Sequence, residues 1–314
     1  MDVLRYIVGR LTQTIPVLFG VSLIAFFSIQ LVPGDPIRIM MHGRASDEVI
    51  AELYRNLGMD RPLIVQYADF VGSALVGDLG QSIVQKAPVS AIVGERIGPS
   101  LFLLIYSASL AVLIAVPLSV LSALRRNRPL DHIIRIGGMV GFAMPPFWIG
   151  LLLILFFGLY LGWFPISGFG QGFFAHLWHL FLPSLTIALF LSPVLIQSLR
   201  SSMLDVMAAE YVEVARAKGL SERRIVVKHV LRNALIPVIT ILAVNISWLV
   251  SGAVIVEYVF SLPGLGSLLV RAVGFRDYPV IQGLSLVFAL IVVVVNLLAD
   301  LSYMVVDRRV LKER

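Results

Sequence analysis

The sequence predicts an all-α membrane protein with six transmembrane helices and a helical extracytoplasmic insert between the first two. Three observations carry this. The chain is 58% apolar and only 14% charged over 314 residues, where soluble domains carry about 25% charge. Five stretches hold no Asp, Glu, Lys or Arg: residues 11–34, 97–124, 136–199, 233–256 and 278–299. A membrane-spanning helix needs about 20 mostly apolar residues, and the 64-residue third stretch accommodates two, with a link near residues 163–178. The apolar runs are continuous rather than alternating, which favours a helical bundle over a barrel.

The first span is longer than the roughly 7–15-residue apolar region of a signal peptide, and no small-residue cleavage site follows it. Leu31-Val32-Pro33-Gly34-Asp35-Pro36 follows instead and stops the helix. The span is therefore read as a retained anchor. Four segments share one side of a six-span chain: 1–10, 125–135, 200–235 and 308–314. They carry 17 of the 25 Lys and Arg. The short links on the other side carry only Arg271 and Arg276. The positive-inside rule then places both termini and the segment 200–235 in the cytoplasm. The net charge of +6 is thus explained by orientation, with no need for nucleic acid. The absence of Cys excludes disulfides and thiol-based metal sites.

The expected organisation is residues 1–31 for the N-terminus and first helix, 32–96 for the insert, 97–307 for a core of five helices, and 308–314 for a cytoplasmic tail. In the insert, Ser46 is a candidate helix cap with Asp47 and Glu48 in the first turn, and Val49, Ile50, Leu53 and Leu57 recur at helical spacing up to Gly58. A second amphipathic stretch runs from Val65 to Val76 and ends at Gly77. Pro16, Pro117, Pro145, Pro146, Pro183 and Pro193 fall inside the spans. Each removes a backbone hydrogen bond and invites a kink.

One polar island interrupts the apolar chain. Residues 200–235 contain eleven charged residues, seven of them basic. Met203, Met207, Tyr211 and Val214 form one stripe at spacings of four, four and three, so the fourth span is expected to run on past the membrane as an amphipathic helix. Gly219 ends that helix, Ser221 caps the next, and Leu220 with Ile225 form a hydrophobic staple across the cap. Val226, Val230 and Ala234 continue a stripe towards Pro237. A rigid corner with an apolar stripe and basic rim fits a helix-in-groove partner. It fits an anionic lipid surface equally well.

The run Glu213-Val214-Ala215-Arg216-Ala217-Lys218-Gly219 resembles the E-A-A-x3-G-x9-I-x-L-P motif of ABC-importer permeases. Val214 replaces the first Ala, His229 stands at the Ile position, Leu231 matches, and Arg232 replaces Pro. These departures resemble the peptide-importer branch, with Ala215 to Ser221 followed by His229, Leu231, Arg232, Asn233, Ala234 and Pro237. Leu31-Val32-Pro33-Gly34-Asp35-Pro36, Leu57-Gly58-Met59-Asp60-Arg61-Pro62, Gln66-Tyr67 and Gly77-Asp78-Leu79-Gly80-Gln81-Ser82 are similar to the extracytoplasmic insert of the B-type permease of dipeptide, oligopeptide and nickel importers. Glu257, Phe260, Pro263 to Gly266 and Arg276-Asp277-Tyr278-Pro279-Val280 are similar to its tail. The resemblance implies the type I ABC importer permease fold, pairing with a homologous second permease, and one or two cytoplasmic ATPase subunits that bind ATP and Mg. It also implies an extracytoplasmic substrate-binding protein. Carried over, Glu210, Tyr211, Glu213, Ala215, Arg216, Ala217, Gly219, Leu220 and Ser221 would form the ATPase-coupling segment. They would orient and transmit rather than catalyse. The cargo would be a dipeptide, an oligopeptide, or a peptide-like solute such as glutathione or a nickel chelate.

No G-x-x-x-x-G-K-[ST] loop occurs, so a P-loop ATPase must be a separate polypeptide. No H-E-x-x-H or G-x-S-x-G occurs either, and a membrane enzyme lacks a nucleophile–base or metal set. His176 and His179 flank Trp178 at a spacing that shares a helical face. Interfacial packing is the expectation, because two His make a poor metal site. Glu257 and Asp300 stand at span ends, where an intramembrane acid is a functional candidate. For Glu257 a structural contact is the open alternative, and for Asp300 it is the favoured one. Asn245 and Asn296 are expected to join helices by hydrogen bonds. An ion-coupled secondary transporter is the alternative class. It would show an inverted repeat and acids near mid-membrane, neither of which is apparent here.

Overall fold

In the computed structural model, residues 3–30, 48 and 60–306 are described. The expected helix from Ser46 to Gly58 and the Leu31–Pro36 stop lie outside them, as does Asp300's side chain. The described helices are α1 (Val3–Gln30), α2 (Leu63–Leu75), α3 (Val89–Leu124), α4 (Pro129–Ala143), α5 (Pro146–Leu153), α6 (Phe173–Met207), α7 (Glu210–Ala217), α8 (Glu222–Arg224), α9 (Arg232–Val259), α10 (Leu265–Phe275) and α11 (Tyr278–Val306). A π-helical stretch, Ile154–Tyr160, extends α5, and another, Ile225–Leu231, joins α8 to α9. No β-strand occurs among the described residues, only an isolated bridge between Gln81 and Pro88.

The all-helical membrane fold agrees with the sequence. Among the described residues three helices, α3, α6 and α11, are long and apolar enough to cross a bilayer, with a fourth crossing if α4 and α5 count as one span. The expected kink at Pro145-Pro146 is a break. Met144 and Pro145 are extended, and the two helices meet at 103°. Pro145 disfavours helical dihedrals at Met144 and has no N–H to continue the ladder. Pro16, Pro117, Pro183 and Pro193 instead lie within continuous helices.

The described residues form two compact units, 99–263 with 294–306, and the described part of 3–98 with 264–293. In the first, α6 is the axis. Of its most apolar window 61% is buried, against 22% for α3. Leu180, Leu182, Leu195, Leu199 and Met203 are fully buried on it, and α4, α5 and α9 pack around it. Two buried hydroxyls are satisfied within their own helices: Ser107 donates to Leu103 O, and Thr186 to Leu182 O. Ser119 Oγ also reaches Ile196 O at 3.2 Å and so links α3 to α6. A Cβ on Gly150 would stand 3.1 Å from Phe260 and 3.5 Å from Thr186, so glycine is what lets α5 approach α6 and α9.

In the second unit, Tyr67 of α2 lies edge-on to Phe19 and Phe26 of α1, and its hydroxyl pairs with Ser22 Oγ at 2.7 Å. The α2 boundaries match the amphipathic stretch read from the sequence. No side chain of α2 is fully buried. Asp277, 3% exposed, accepts from Ser82 Oγ and from the N–H groups of Ile83 and Val84. It thereby stitches the Gly77–Ser82 motif to the Arg276–Val280 motif.

Gly150→Val is expected to overpack the α5–α6–α9 contact and to cost about 1–3 kcal/mol. A thermal unfolding midpoint of the detergent-solubilised protein, compared with wild type, checks this.

Candidate functional site: the polar segment and its seat

The polar segment starts from an ion pair. Arg200, on the last turns of α6, donates from Nε to Asp131 Oδ1 at 2.8 Å and from Nη2 to Oδ2 at 2.7 Å. Ser122 Oγ on α3 donates to the same carboxylate, and Asn127 N–H donates at 2.9 Å. Asp131 is 0% exposed and the Arg200 side chain 15%. A bidentate arginine–carboxylate pair of this kind is directional as well as strong. It ties the ends of α3, α4 and α6 together. Sequence reading missed it, although Asp131 is the one acid between residues 97 and 199.

From this seat the expected continuous helix does not form. α6 ends at Met207, Ala208 caps it with its N–H still on Leu204 O at 3.3 Å, and Ala209 is extended before α7 begins. The stripe of Met203, Met207, Tyr211 and Val214 is therefore divided. Met203 is fully buried, whereas Tyr211 and Val214 are 46% and 51% exposed. The buried face of α7 is instead Val212 and Ala215. Burying them against the core outweighs one unbroken helix, even though Ala208 and Ala209 by themselves favour continuing it.

The corner forms as expected at Gly219. Its φ is +76°, its N–H bonds Arg216 O at 2.9 Å, and Leu220 N–H bonds Ala215 O at 3.3 Å. This is the Schellman pattern, which needs a left-handed residue. A Cβ on Gly219 would meet nothing within 4 Å, so the requirement is of the backbone and not of space. Ser221 stands at the N-cap of α8, but its side chain makes no capping bond. Ile225 N–H bonds the Ser221 carbonyl instead, at 3.0 Å. Ile225 is fully buried and Leu220 packs on the core, as the staple requires. Val226, Val230 and Ala234 are buried in their stripe.

Glu210 and Glu213 occupy the first turn of α7 and Arg216 its last, which suits the helix dipole. Arg216 Nε donates to Glu222 Oε1 at 2.8 Å across the corner. That carboxylate holds the guanidinium pKa above its ordinary value. Both groups are solvent-exposed, so the pair adds little stability. Asn233 Nδ2 donates to Tyr211 Oη at 3.0 Å and to His229 O at 2.9 Å. This clasp holds α7 to the start of α9. Tyr211, Val214 and Val227 then remain as exposed apolar groups among the exposed charges of Glu210, Glu213, Arg216 and Lys218.

The other candidates lie apart from this segment. Glu257 is 2% exposed, and its Oε1 accepts from Ser100 Oγ at 2.6 Å. Asn245 bonds back to Ile241 O of its own helix at 2.8 Å, rather than to a neighbouring helix as expected. Asn296 is exposed. His176 Nδ1 lies 2.8 Å from Phe169 O and its ring stacks on Phe169, while His179 Nδ1 lies 3.0 Å from Ser167 O. Both brace the loop before α6, consistent with packing. Exposed Tyr160, Trp163, Phe173, Phe174 and Trp178 surround that loop, as aromatic side chains do at a membrane interface. Helix α6 starts at Phe173, inside the expected link. No cluster of three or more metal-ligating side chains occurs among the described residues.

A helical bundle with long apolar spans and one charged corner on rigid supports defines an integral membrane protein of the multi-helix class. The chain belongs to the binding-protein-dependent transport system inner membrane components, whose family matches residues 115–312, with the corresponding N-terminal family matching residues 3–103. It is 40% identical over 311 residues to the oligopeptide transport system permease protein AppB of Bacillus subtilis, covering 97% of this chain and 98% of that one. It is 39% identical over 305 residues to the glutathione transport system permease protein GsiC of Escherichia coli K12, with the same coverage. An inward-facing MetNI methionine ABC transporter structure aligns with a TM-score of 0.56 at 17% identity, covering 69% of this chain and 96% of that one. At that identity it shows the fold alone. The protein is thus a multi-pass inner-membrane permease subunit of an ABC importer and not an enzyme, with ATP hydrolysis on a separate subunit.

Asp131→Ala leaves Arg200 buried without its counter-ion and is expected to cost about 3–5 kcal/mol. Asp131→Leu combined with Arg200→Met should recover most of that loss. Unfolding of both variants in micelles checks it, and equal losses would show that the pair is not what holds the three helices.

Proposed function

We propose that this chain forms half of the translocation path for di- or oligopeptides, or for peptide-like solutes such as glutathione. A homologous second permease supplies the other half, and a binding protein delivers cargo at the outer face. Coupling to one or two cytoplasmic ATPases runs through residues 200–235, and those subunits carry ATP and Mg. The observation that carries this reading is the corner itself. Exposed Tyr211 and Val214 sit on a helix whose other face, Val212 and Ala215, is locked into the core. An apolar tip on a rigid base inserts into a groove and transmits force in a way that a loose amphipathic hairpin on lipid does not.

In this reading Tyr211 enters the groove with Val214, and Glu210, Glu213 and Arg216 form its charged rim. Ala215, Ala217, Gly219, Leu220 and Ser221 fix the angle of α7. The excess of Lys and Arg in segments 1–10, 125–135, 200–235 and 308–314 supports six spans with both termini cytoplasmic. The organisation is then 1–31, the insert 32–96, the core 97–307 and the tail 308–314. Glu257, held by Ser100, is a structural tie between α3 and α9.

Gly219→Val forces a β-branched residue into a left-handed conformation that costs about 1–2 kcal/mol even for unbranched residues. The variant is expected to insert in the membrane and to pull down less ATPase. Peptide uptake should fall at least about tenfold, as such a strain implies. Normal uptake by this variant would refute the coupling role.

A further inference from the structure

A groove of about 570 Å³ runs between α4, α6 and α9, within the range of about 300–1,000 Å³ typical of small-molecule sites. Its composition changes along its length. Met139, Phe142 and Ile241 make an apolar wall, and Arg135, Gln197, Ser198 and Ser201 line it towards the polar segment. Arg200 also lines the groove, but its guanidinium is engaged by Asp131. Arg135 differs. It is exposed and makes no ion pair among the described residues. Asp131, one turn earlier on α4, is already occupied by Arg200, Ser122 and Asn127. Membrane orientation accounts for a cation at a helix end. It does not account for a cation that opens into a groove beside an amide and a hydroxyl in an otherwise apolar wall. The α4 wall is also half of the helix pair broken at Pro145-Pro146, and discontinuous helices recur at substrate sites in transporters.

We propose that this groove is a cargo subsite in which Arg135 receives a carboxylate of the transported solute, assisted by Gln197 and Ser198. The inference rests on the peptide-importer reading above, in which every free peptide brings a terminal carboxylate. A guanidinium matches that group with a two-point, charge-assisted contact. The apolar wall accepts varied side chains without demanding any one of them.

The chain has no cysteine, so Ser201→Cys at the rim gives it a single thiol. The assembled transporter, in nanodiscs without binding protein, is treated with a neutral methanethiosulfonate reagent, and labelling of this chain is followed by mass. Alanyl-alanine is expected to slow labelling at concentrations roughly tenfold or more below those needed for alanyl-alanine amide. Arg135→Gln should abolish that difference, and Arg135→Lys should retain part of it. Equal protection by acid and amide, or discrimination that survives Arg135→Gln, would overturn the proposal. So would acetate protecting as well as the dipeptide, which would mark a simple anion site. Uptake into proteoliposomes with binding protein present separates the two readings. Absent peptide uptake with Arg135-dependent protection intact refutes the peptide cargo and leaves the carboxylate site standing. Intact uptake with no protection refutes the site alone.

Discussion

A charge at the edge of an apolar bundle must be answered by water or by an opposite charge, because an unpaired buried ion is far costlier than the pair. At Arg200 the answer is Asp131, and the rest of the polar segment depends on it. The pair draws on α3, α4 and α6 at once through Ser122, Asp131 and Arg200. Three helix ends that would otherwise splay independently become one platform. Helix α7 leaves from that platform, so the direction of its exposed face is set by a contact ten or more residues upstream.

From the platform outwards, each joint is made stiff by a different device. The turn at Ala208 and Ala209 is held by burial of Val212 and Ala215. The Gly219 corner is held by paired backbone bonds. The return through Ile225–Leu231 is π-helical, a rare geometry that recurs at functional positions. It brings Ile225, Val226 and Val230 onto the core. Tyr211 and Asn233 then close the loop side to side. Under the coupling role proposed above, motion imposed on α7 would be passed to α6 and α9 rather than absorbed in the corner.

Asp277 plays a comparable part in the second unit. Its carboxylate organises the turn at residues 82–86 by accepting from one hydroxyl and two backbone amides. Two motifs almost two hundred residues apart are thereby one structural element. Each is legible in the sequence through its resemblance to a permease motif. Their joining is a matter of tertiary contact.

The sequence by itself determined the membrane class, the helical character of the apolar stretches and the position of the polar segment. These follow from composition and period, which act locally along the chain. It also determined the Gly219 corner, because a left-handed residue before a stapled helix is a local requirement. Only the tertiary structure decided that α6 stops at Met207 and that Val212 and Ala215, rather than Tyr211 and Val214, face inward. The same holds for the break between α4 and α5, where Pro145-Pro146 marked a kink but not its 103° angle. The pairing of Asp131 with Arg200 and the opening of Arg135 into a groove were equally invisible. Such outcomes depend on which surfaces meet, and burial against a distant helix overrides a stripe that is regular only in sequence.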